Sequence, residues 1–521
     1  MFRIIIFILS MSLFFSCESD KRRKVSNEKL FNFLKASILS REAFSPIKNE
    51  RLGIQIEEQI EARRAAFLKA RSTEELYFEL LQLSNLRKDS HLKLRPLFTS
   101  DGADQQLPIR LGVDFSDPTA PRLMVTAIAS NYQDQLANLS IGDYLVQYNS
   151  YSNQEFTAIA EGLIPASTLE YFYTELARLL TSAHYNLKPL RNQKEQECIL
   201  HFEKKDGQNV QFTLDFASKT KYQWNDSPKY DGFDLQMQGN NLNVWTSTQH
   251  DNILLLEWLD FESDMPAEVD SLMNWASENG HLESDLIIDA IASSGGSNAV
   301  YPIRRLSSKP FKVVKGNLRI SEITRAFIRK KSEQLQRNRA DSLYLRFANE
   351  VEIDNGEHLL QWLNYQVEEE IWDKKEYTDP VVFKKKYTTQ NDTIYPAPTH
   401  FTGKMVALFG PFGASQVDQF AAMLIDNQLA YSIGMSTAGN SNTWEWTKRI
   451  NDPLDQQTPI CDFKWTIGQT WRPNDEPLEG NPPLVDEWIP TTAENIASYP
   501  NVLLKKAIDF LQENEEILGD N

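Results

Sequence analysis

Two short loops in this 521-residue chain carry residue types that could support acyl-transfer chemistry. The first is Gly410-Pro411-Phe412-Gly413-Ala414-Ser415, between an apolar strand candidate, Lys404–Phe409, and a helical pattern marked by Val417, Phe420, Ala421 and Leu424. A serine placed there sits at a helix N-terminus, where free amides favour developing negative charge, and the Gln416 amide could donate to an oxyanion. The same serine, with Asp418 three residues on, is also an acceptable helix N-cap. Local sequence leaves both roles open. The second loop is Asp289-Ala290-Ile291-Ala292-Ser293-Ser294-Gly295-Gly296-Ser297. Glycines after a buried strand let backbone approach another segment closely and aim an amide at a carbonyl oxygen, although a plain strand-to-helix turn reads the same way.

Other chemistries lack their motifs. The chain has no His-Glu-x-x-His, no phosphate-binding Gly-Lys-Ser/Thr loop and no Gly-x-Gly-x-x-Gly. Gly413-Ala414-Ser415-Gln416-Val417 lacks the closing glycine of the hydrolase nucleophile elbow. Cys198 and Cys461 lie far apart and neither has a second cysteine near it, so neither a disulfide framework nor a metal site is expected; they read as small buried hydrophobes. No cofactor is implied.

The elements that must position these loops follow from the apolar patterning. In the second half Ile253–Leu259, Leu286–Ile291 and Lys404–Phe409 are strand candidates, with a helical stretch around Ala267–Trp275 and a helix starting near Ala299. Strand–glycine–helix succession of this kind implies an α/β core. Residues 318–375 are charged and helical in character and read as an insertion or lid. Nearer the N-terminus, Ser72-Thr73-Glu74-Glu75 has the form of a capping box, and Leu76, Leu80 and Leu83 then share one helix face. Short strands follow from about residue 105: Arg110–Phe115, Leu123–Ala127 and a third entered through Ile141-Gly142-Asp143. A helical stretch lies between Asn153 and Ser182, with Leu169, Phe172, Leu176 and Leu180 near helical spacing. The hairpin Cys198–Glu203/Val210–Phe216 turns at Asp206-Gly207. This unit resembles a PDZ module, which implies capture of extended C-termini along a strand edge such as Leu111-Gly112-Val113.

In order and together, several stretches resemble the tail-specific (C-terminal processing) serine peptidases. Leu286-Ile287-Ile288-Asp289 with Gly295-Gly296 is similar to the family's strand and glycine turn, without its usual Arg and Asn. Gly413-Ala414-Ser415-Gln416-Val417-Asp418 is similar to its nucleophile stretch, and Ile433-Gly434-Met435-Ser436-Thr437-Ala438-Gly439-Asn440 to its next turn. Glu479-Gly480-Asn481-Pro482-Pro483 and Tyr499-Pro500-Asn501-Val502-Leu503 match later regions. Asn440 stands where the Ser-Lys branch has its lysine, and an amide cannot accept the serine proton. The resemblance is therefore to the branch that includes the tricorn core and the retinoid-binding-protein-like peptidases. That branch takes its base from a histidine after a leucine-rich helix, and Asp89-Ser90-His91-Leu92 fits the pattern. The resemblance implies Ser415 as nucleophile, His91 as base, Glu479 and Ser90 as orienting groups, and the Gly295 and Gln416 amides as oxyanion donors.

The implied fold is α+β and multidomain. Its parts are a leader (1–17), a tether and N-terminal helical segment (18–104), a PDZ-like domain (105–220), and a crotonase/Clp-like α/β spiral core (221–521) carrying the helical insertion. The implied substrates are polypeptides, including C-terminal tails. A net charge of -18 argues against sequence-independent nucleic-acid binding. Arg3, the apolar run Ile4–Phe15, then Ser16-Cys17 read as a signal peptide ending in a lipobox, too short to span a bilayer. An exported protein held to the cell envelope by lipid on Cys17 is expected. Two alternatives stay open: a degenerate relative that binds peptides without cutting them, and a lipid-anchored ligand-capture protein.

Overall fold

The computed structural model describes the backbone of residues 2–191, 196–224, 230–341, 350–366, 375–382, 393–441 and 444–519; side chains are described for these except 2–19, 350–356 and 514–519. The N-terminal segment is helical: α1 (Phe2–Arg41), α2 (Ser45–Leu52), α3 (Ile56–Lys69) and α4 (Thr73–Asn85). Half of the expected capping box forms at α4: the Ser72 hydroxyl accepts from the Glu75 amide at 3.1 Å, while the Glu75 carboxylate accepts from the Arg71 amide; Leu76, Leu80 and Leu83 are all buried. Pro46 falls in the first turn of α2, where its missing N–H costs nothing, and Gly53 (φ +63) ends that helix. No described helix is long and apolar enough to cross a membrane. Cys17 falls within α1, and its side chain lies outside the described residues.

The next unit is an antiparallel sheet in the order β1 (Ile109–Asp114), β2 (Arg122–Ile128), β3 (Tyr144–Tyr148), β4 (Glu197–Glu203) and β5 (Asn209–Asp215). Gly142 (φ +90) and Asp143 form the turn into β3, with the Asp143 carboxylate accepting from the Ser140 amide. The helical stretch between 153 and 182 is two helices rather than one: α5 (Asn153–Glu161) and α6 (Leu169–Leu180). A capping box at Ser152 starts the first, and Thr168 caps the second. α6 lies against β1. The outer edge of β1 is partly occupied by the chain itself. The Val113 carbonyl accepts from the Thr491 hydroxyl at 2.6 Å, and the Phe115 amide donates to the Thr491 carbonyl at 2.8 Å. A peptide added along Leu111-Gly112-Val113 must therefore displace Thr491 or stop short of Val113.

The core is a seven-stranded sheet in sequential order: β6 (Phe233–Gln238), β7 (Leu242–Ser247), β8 (Ile253–Trp258), β9 (Asp285–Asp289), β10 (Met405–Phe409), β11 (Tyr431–Gly434) and β12 (Glu487–Trp488). β8 to β12 run parallel, with Ile253 opposite Asp285, Leu286 opposite Met405, and Val406 opposite Tyr431. Every residue of β8, β9 and β10 is buried, as expected for parallel strands covered on both faces. α7 (Met265–Glu278) and α8 (Gln416–Asp426) cover one face, and the C-terminal helix Tyr499–Gly519 covers the other. The loops after β9 and β10 thus emerge side by side at the carboxyl ends of adjacent parallel strands, where open α/β sheets place their ligands.

Two features depart from a simple serial layout. Leu318 belongs to a strand, Lys315–Leu318, paired with Gly468–Trp471, so the insertion begins after it with the helix Glu322–Ala340. The helix Glu350–Gln366 packs back on it, while residues 342–349 and 367–374 of the expected insertion lie outside the described residues. The hairpin Glu445–Asn451/Pro459–Thr466 does not join the α/β core. Its Ile460, Cys461, Phe463 and Trp465 are buried in one cluster with Phe31, Leu34 and Ile38 of α1 and Leu80 of α4. That cross-connection brings the N-terminal helices to the loops of the core.

Candidate active site

Ser415 immediately precedes α8 with φ +62 and ψ -111, a backbone conformation costly for any residue with a Cβ. Its hydroxyl makes no capping bond to the helix, so the N-cap alternative is not realised. The backbone around it is held firmly. Its amide donates to the Asn440 carbonyl at 2.7 Å, and the Ala438 amide donates to the Gly413 carbonyl at 2.7 Å. Asp418, in the first turn of α8, accepts from the Gly439 and Asn440 amides at 2.8 and 3.0 Å. Burial pushes the Asp418 carboxyl up to about 6, against those hydrogen bonds. Ser415 itself is half-buried.

Gly295 faces Ser415. A Cβ on this glycine would lie 2.8 Å from the Ser415 Cβ and 3.2 Å from its Oγ. The backbone approach therefore requires a residue without a side chain. Gly296 (φ +142) does a different job: its Cβ would lie 2.2 Å from the Phe261 carbonyl oxygen, where the loop is pinned by the Ser297 amide donating to Phe261. The strand before the loop is anchored through Asp289, which accepts from the Tyr230 hydroxyl at 2.6 Å and the Ile291 amide at 3.0 Å.

His91 lies in a single 3-10 turn, Ser90–Leu92, capped by Asp89, whose carboxylate accepts from the His91 amide at 2.9 Å. The other Asp89 oxygen accepts from the Thr466 hydroxyl at 2.6 Å. A ring nitrogen of His91 and carboxylate oxygens of Asp89 and Glu479 all stand within 4.8 Å of one another. Burial lowers the His91 pKa below the ordinary histidine value, although the Asp89 and Glu445 charges oppose it. Asp89 is itself buried, yet it is held below the usual aspartate value by the Lys48 and His91 charges and by its hydrogen bonds. The imidazole is thus biased toward its neutral, proton-accepting form.

Glu479 is fully buried. Its Oε1 accepts from the Ser167 hydroxyl at 2.5 Å and the Lys48 ammonium at 3.1 Å, and its Oε2 accepts from the Ser441 amide at 2.9 Å. Burial, reinforced by the Asp89 charge, pushes the carboxyl up to about 8 against the pull of Lys48 and Ser167. Ser90 reaches Glu479 only through Ser167. The Ser90 amide and hydroxyl lie 3.1 and 3.0 Å from the Ser167 hydroxyl. Residues 439–441 join the two halves of the site: Ser415 hangs on the Asn440 carbonyl, and Glu479 on the Ser441 amide. With an ammonium 3.1 Å from Glu479, we assign no metal to this cluster.

Of the residues singled out in the sequence, the structure gathers His91, Glu479 and Ser90 into one network and joins Ser415 to it through the 439–441 segment. It sets Gly295 against Ser415 and Gln416 at the head of the same helix. Leu111, Gly112 and Val113 lie on a separate sheet edge. Lys48, Asp89, Ser167 and Asp418 belong to the network, although sequence reasoning gave none of them a role. Asp418, three residues after the serine, and Asp89, two before the histidine, carried local signals; Lys48 and Ser167 carried none.

No protein-family model matches this chain, and no curated protein matches its sequence. Its three-dimensional structure is similar to that of mature CPAF, with 16% identity, 94% of this chain and 98% of that chain covered, and a TM-score of 0.72. The structure of mature CPAF complexed with lactacystin aligns over 95% of this chain and 98% of that chain, at 16% identity and a TM-score of 0.68. A serine-to-alanine mutant of CPAF aligns at 14% identity over 94% and 96% of the two chains, with a TM-score of 0.64. The mixed helix-and-sheet multidomain architecture is the one these structures share.

Proposed function

We propose that this chain is a serine peptidase of the tail-specific type, with Ser415 as nucleophile and His91 as general base. The observation that carries the reading is Ser415 itself. Its backbone is held in a costly conformation at a helix N-terminus, its hydroxyl is not spent on capping, and a glycine backbone is pressed against it. Strain of this kind persists only where the surroundings over-determine it, and the Asn440 and Asp418 contacts do so here.

In the proposed mechanism His91 takes the Ser415 hydroxyl proton as the oxygen attacks a peptide carbonyl, and later gives it to the leaving amine. Glu479 and Asp89 hold and balance the imidazolium formed in between. Ser90 acts through Ser167. The Gly295 and Gln416 amides donate to the tetrahedral oxyanion. Water, activated by the same histidine, then releases the acyl group. The shared fold with CPAF, which has been solved with lactacystin bound, makes lactacystin a second probe of the site.

The test is labelling of the full chain with a fluorophosphonate beside Ser415→Ala and His91→Ala variants. Labelling of the wild type that both substitutions abolish supports the reading. A folded wild type that stays unlabelled overturns it, and peptide binding without cleavage then becomes the account to pursue. We also propose that the chain is exported and lipid-anchored at Cys17, on the strength of the N-terminal pattern; incorporation of labelled palmitate that survives Cys17→Ser refutes this.

A further inference from the structure

Lys48 is the one element of this network supplied by α2, 431 residues before its partner. It is almost wholly buried, with 5% of its side chain exposed, and all three of its protons are directed. Its ammonium donates to the Glu479 carboxylate at 3.1 Å, to the Lys88 carbonyl at 2.7 Å and to the Arg87 carbonyl at 3.2 Å. The last two belong to the segment that leads directly into Asp89-Ser90-His91. One side chain therefore ties the carboxylate of the site to the turn that carries its histidine. Lys88 has φ +49, so that turn is itself bent out of ordinary geometry just where Lys48 holds it.

We propose that Lys48 is a positioning residue of the peptidase site: its ammonium fixes the Glu479 carboxylate and the His91 turn in register, so the N-terminal helical segment completes the site. This inference rests on the peptidase reading above. The groups facing Glu479 are Lys48 from α2, Asp89 and His91 from the 3-10 turn, the Ser167 hydroxyl and the Ser441 amide. Glu445 and Lys464 from the late hairpin and Lys93 face His91. Lys48 is the cation bonded to Glu479 among the described residues, and it is also the group that lowers that carboxyl's pKa most.

The test measures the rate of fluorophosphonate labelling against pH for the full chain as wild type, Lys48→Arg, Lys48→Met, Glu479→Gln and the Lys48→Met/Glu479→Gln double variant, with thermal melts for each. Without the ammonium, the Glu479 carboxyl holds its proton to higher pH. Lys48→Met is therefore expected to label about ten-fold or more slowly at pH 7 and to recover toward alkaline pH. Lys48→Arg should stay within a few-fold of wild type. In the Glu479→Gln background, removing Lys48 should cost clearly less than that ten-fold, because its carboxylate partner is already neutral and only its hold on the Arg87 and Lys88 carbonyls is left to lose. A folded Lys48→Met with wild-type rate and pH profile overturns the proposal. So does a double variant that labels at least ten-fold more slowly than Glu479→Gln, the full loss expected of Lys48→Met, since Lys48 would then act independently of Glu479. If Lys48→Met does not fold, the comparison of Glu479→Gln with the double variant, in which the buried charges are removed together, decides. Ser415-independent labelling of the wild type would instead strike at the peptidase reading itself.

Discussion

Replacing Gly295 by alanine tests the site at its tightest point. The φ of Gly295 lies outside the left-handed region, so alanine meets no backbone penalty there and the consequence is purely steric. The added methyl would stand 2.8 Å from the Ser415 Cβ. Comfortable carbon–carbon contact is about 3.5–4.0 Å, so the two loops must separate by roughly 0.7–1.2 Å. Misplacement of that size costs about 10²-fold in rate, or about 2.7 kcal/mol of transition-state stabilisation. Moving an oxyanion donor out of reach adds a loss of similar size, since removing one costs about 10²–10³-fold. The fold should lose less, about 1–3 kcal/mol for local overpacking. The control is Gly296→Ala, where positive φ and a 2.2 Å approach to the Phe261 oxygen should instead lower the melting temperature markedly. The assay pairs the second-order rate constant for fluorophosphonate labelling with a thermal melt. Gly295→Ala that labels within about three-fold of wild type while remaining folded refutes the assignment of this backbone to the oxyanion site.

Three further outcomes follow from the same geometry. Ser415→Gly should be more stable to urea than Ser415→Ala by about 1–3 kcal/mol, because glycine relieves the φ +62 strain, while neither variant labels; equal midpoints would show that the serine backbone is not strained. The carboxyls of Glu479 and Glu42, raised by burial to about 8 and about 7 from an ordinary 4.5, keep protons in the native state that the unfolded chain has released. Their contribution to stability is therefore present below about pH 4.5 and is lost as pH rises toward 8, so Glu479→Gln should flatten part of the fall in urea midpoint between pH 5 and 8; an unchanged slope refutes it. Above about pH 7, where Glu42 is ionised, Arg87→Met should cost about 3–5 kcal/mol, since it strands that buried carboxylate 2.9 Å away, and pairing it with Glu42→Leu should restore much of the loss in chemical denaturation.

The strands and helices of the core were legible because their apolar runs are long and punctuated by glycine. β8, β9 and β10 appear close to where the sequence puts them, and Ser415 sits at the strand–helix junction that the pattern implies. Three things were not legible. The break at residues 162–168 is a loop between two well-capped helices, and apolar spacing that continues past it masks the interruption. The hairpin 445–466 has ordinary strand patterning, but nothing local says that Trp465 and Phe463 pack against α1 and α4 instead of the nearer sheet. The polar network was hardest. Lys48 lies in Ser45-Pro46-Ile47-Lys48-Asn49-Glu50-Arg51-Leu52, a short charged helix that reads as solvated surface, and Ser167 precedes a helix cap as an unremarked polar residue. Their roles exist only after burial, because an ammonium or carboxylate removed from water must find partners wherever the fold supplies them. Glu479 takes Lys48 from α2, Ser167 from the loop before α6 and Ser441 from the turn after β11. A candidate site whose serine is local and whose charged groups are distant is half visible in sequence. The serine is held at the head of its own helix, whereas the partners of Glu479 come from three separate parts of the chain. On the proposed reading the N-terminal helices complete the site through Lys48, whose ammonium joins the Glu479 carboxylate to the Arg87 and Lys88 carbonyls.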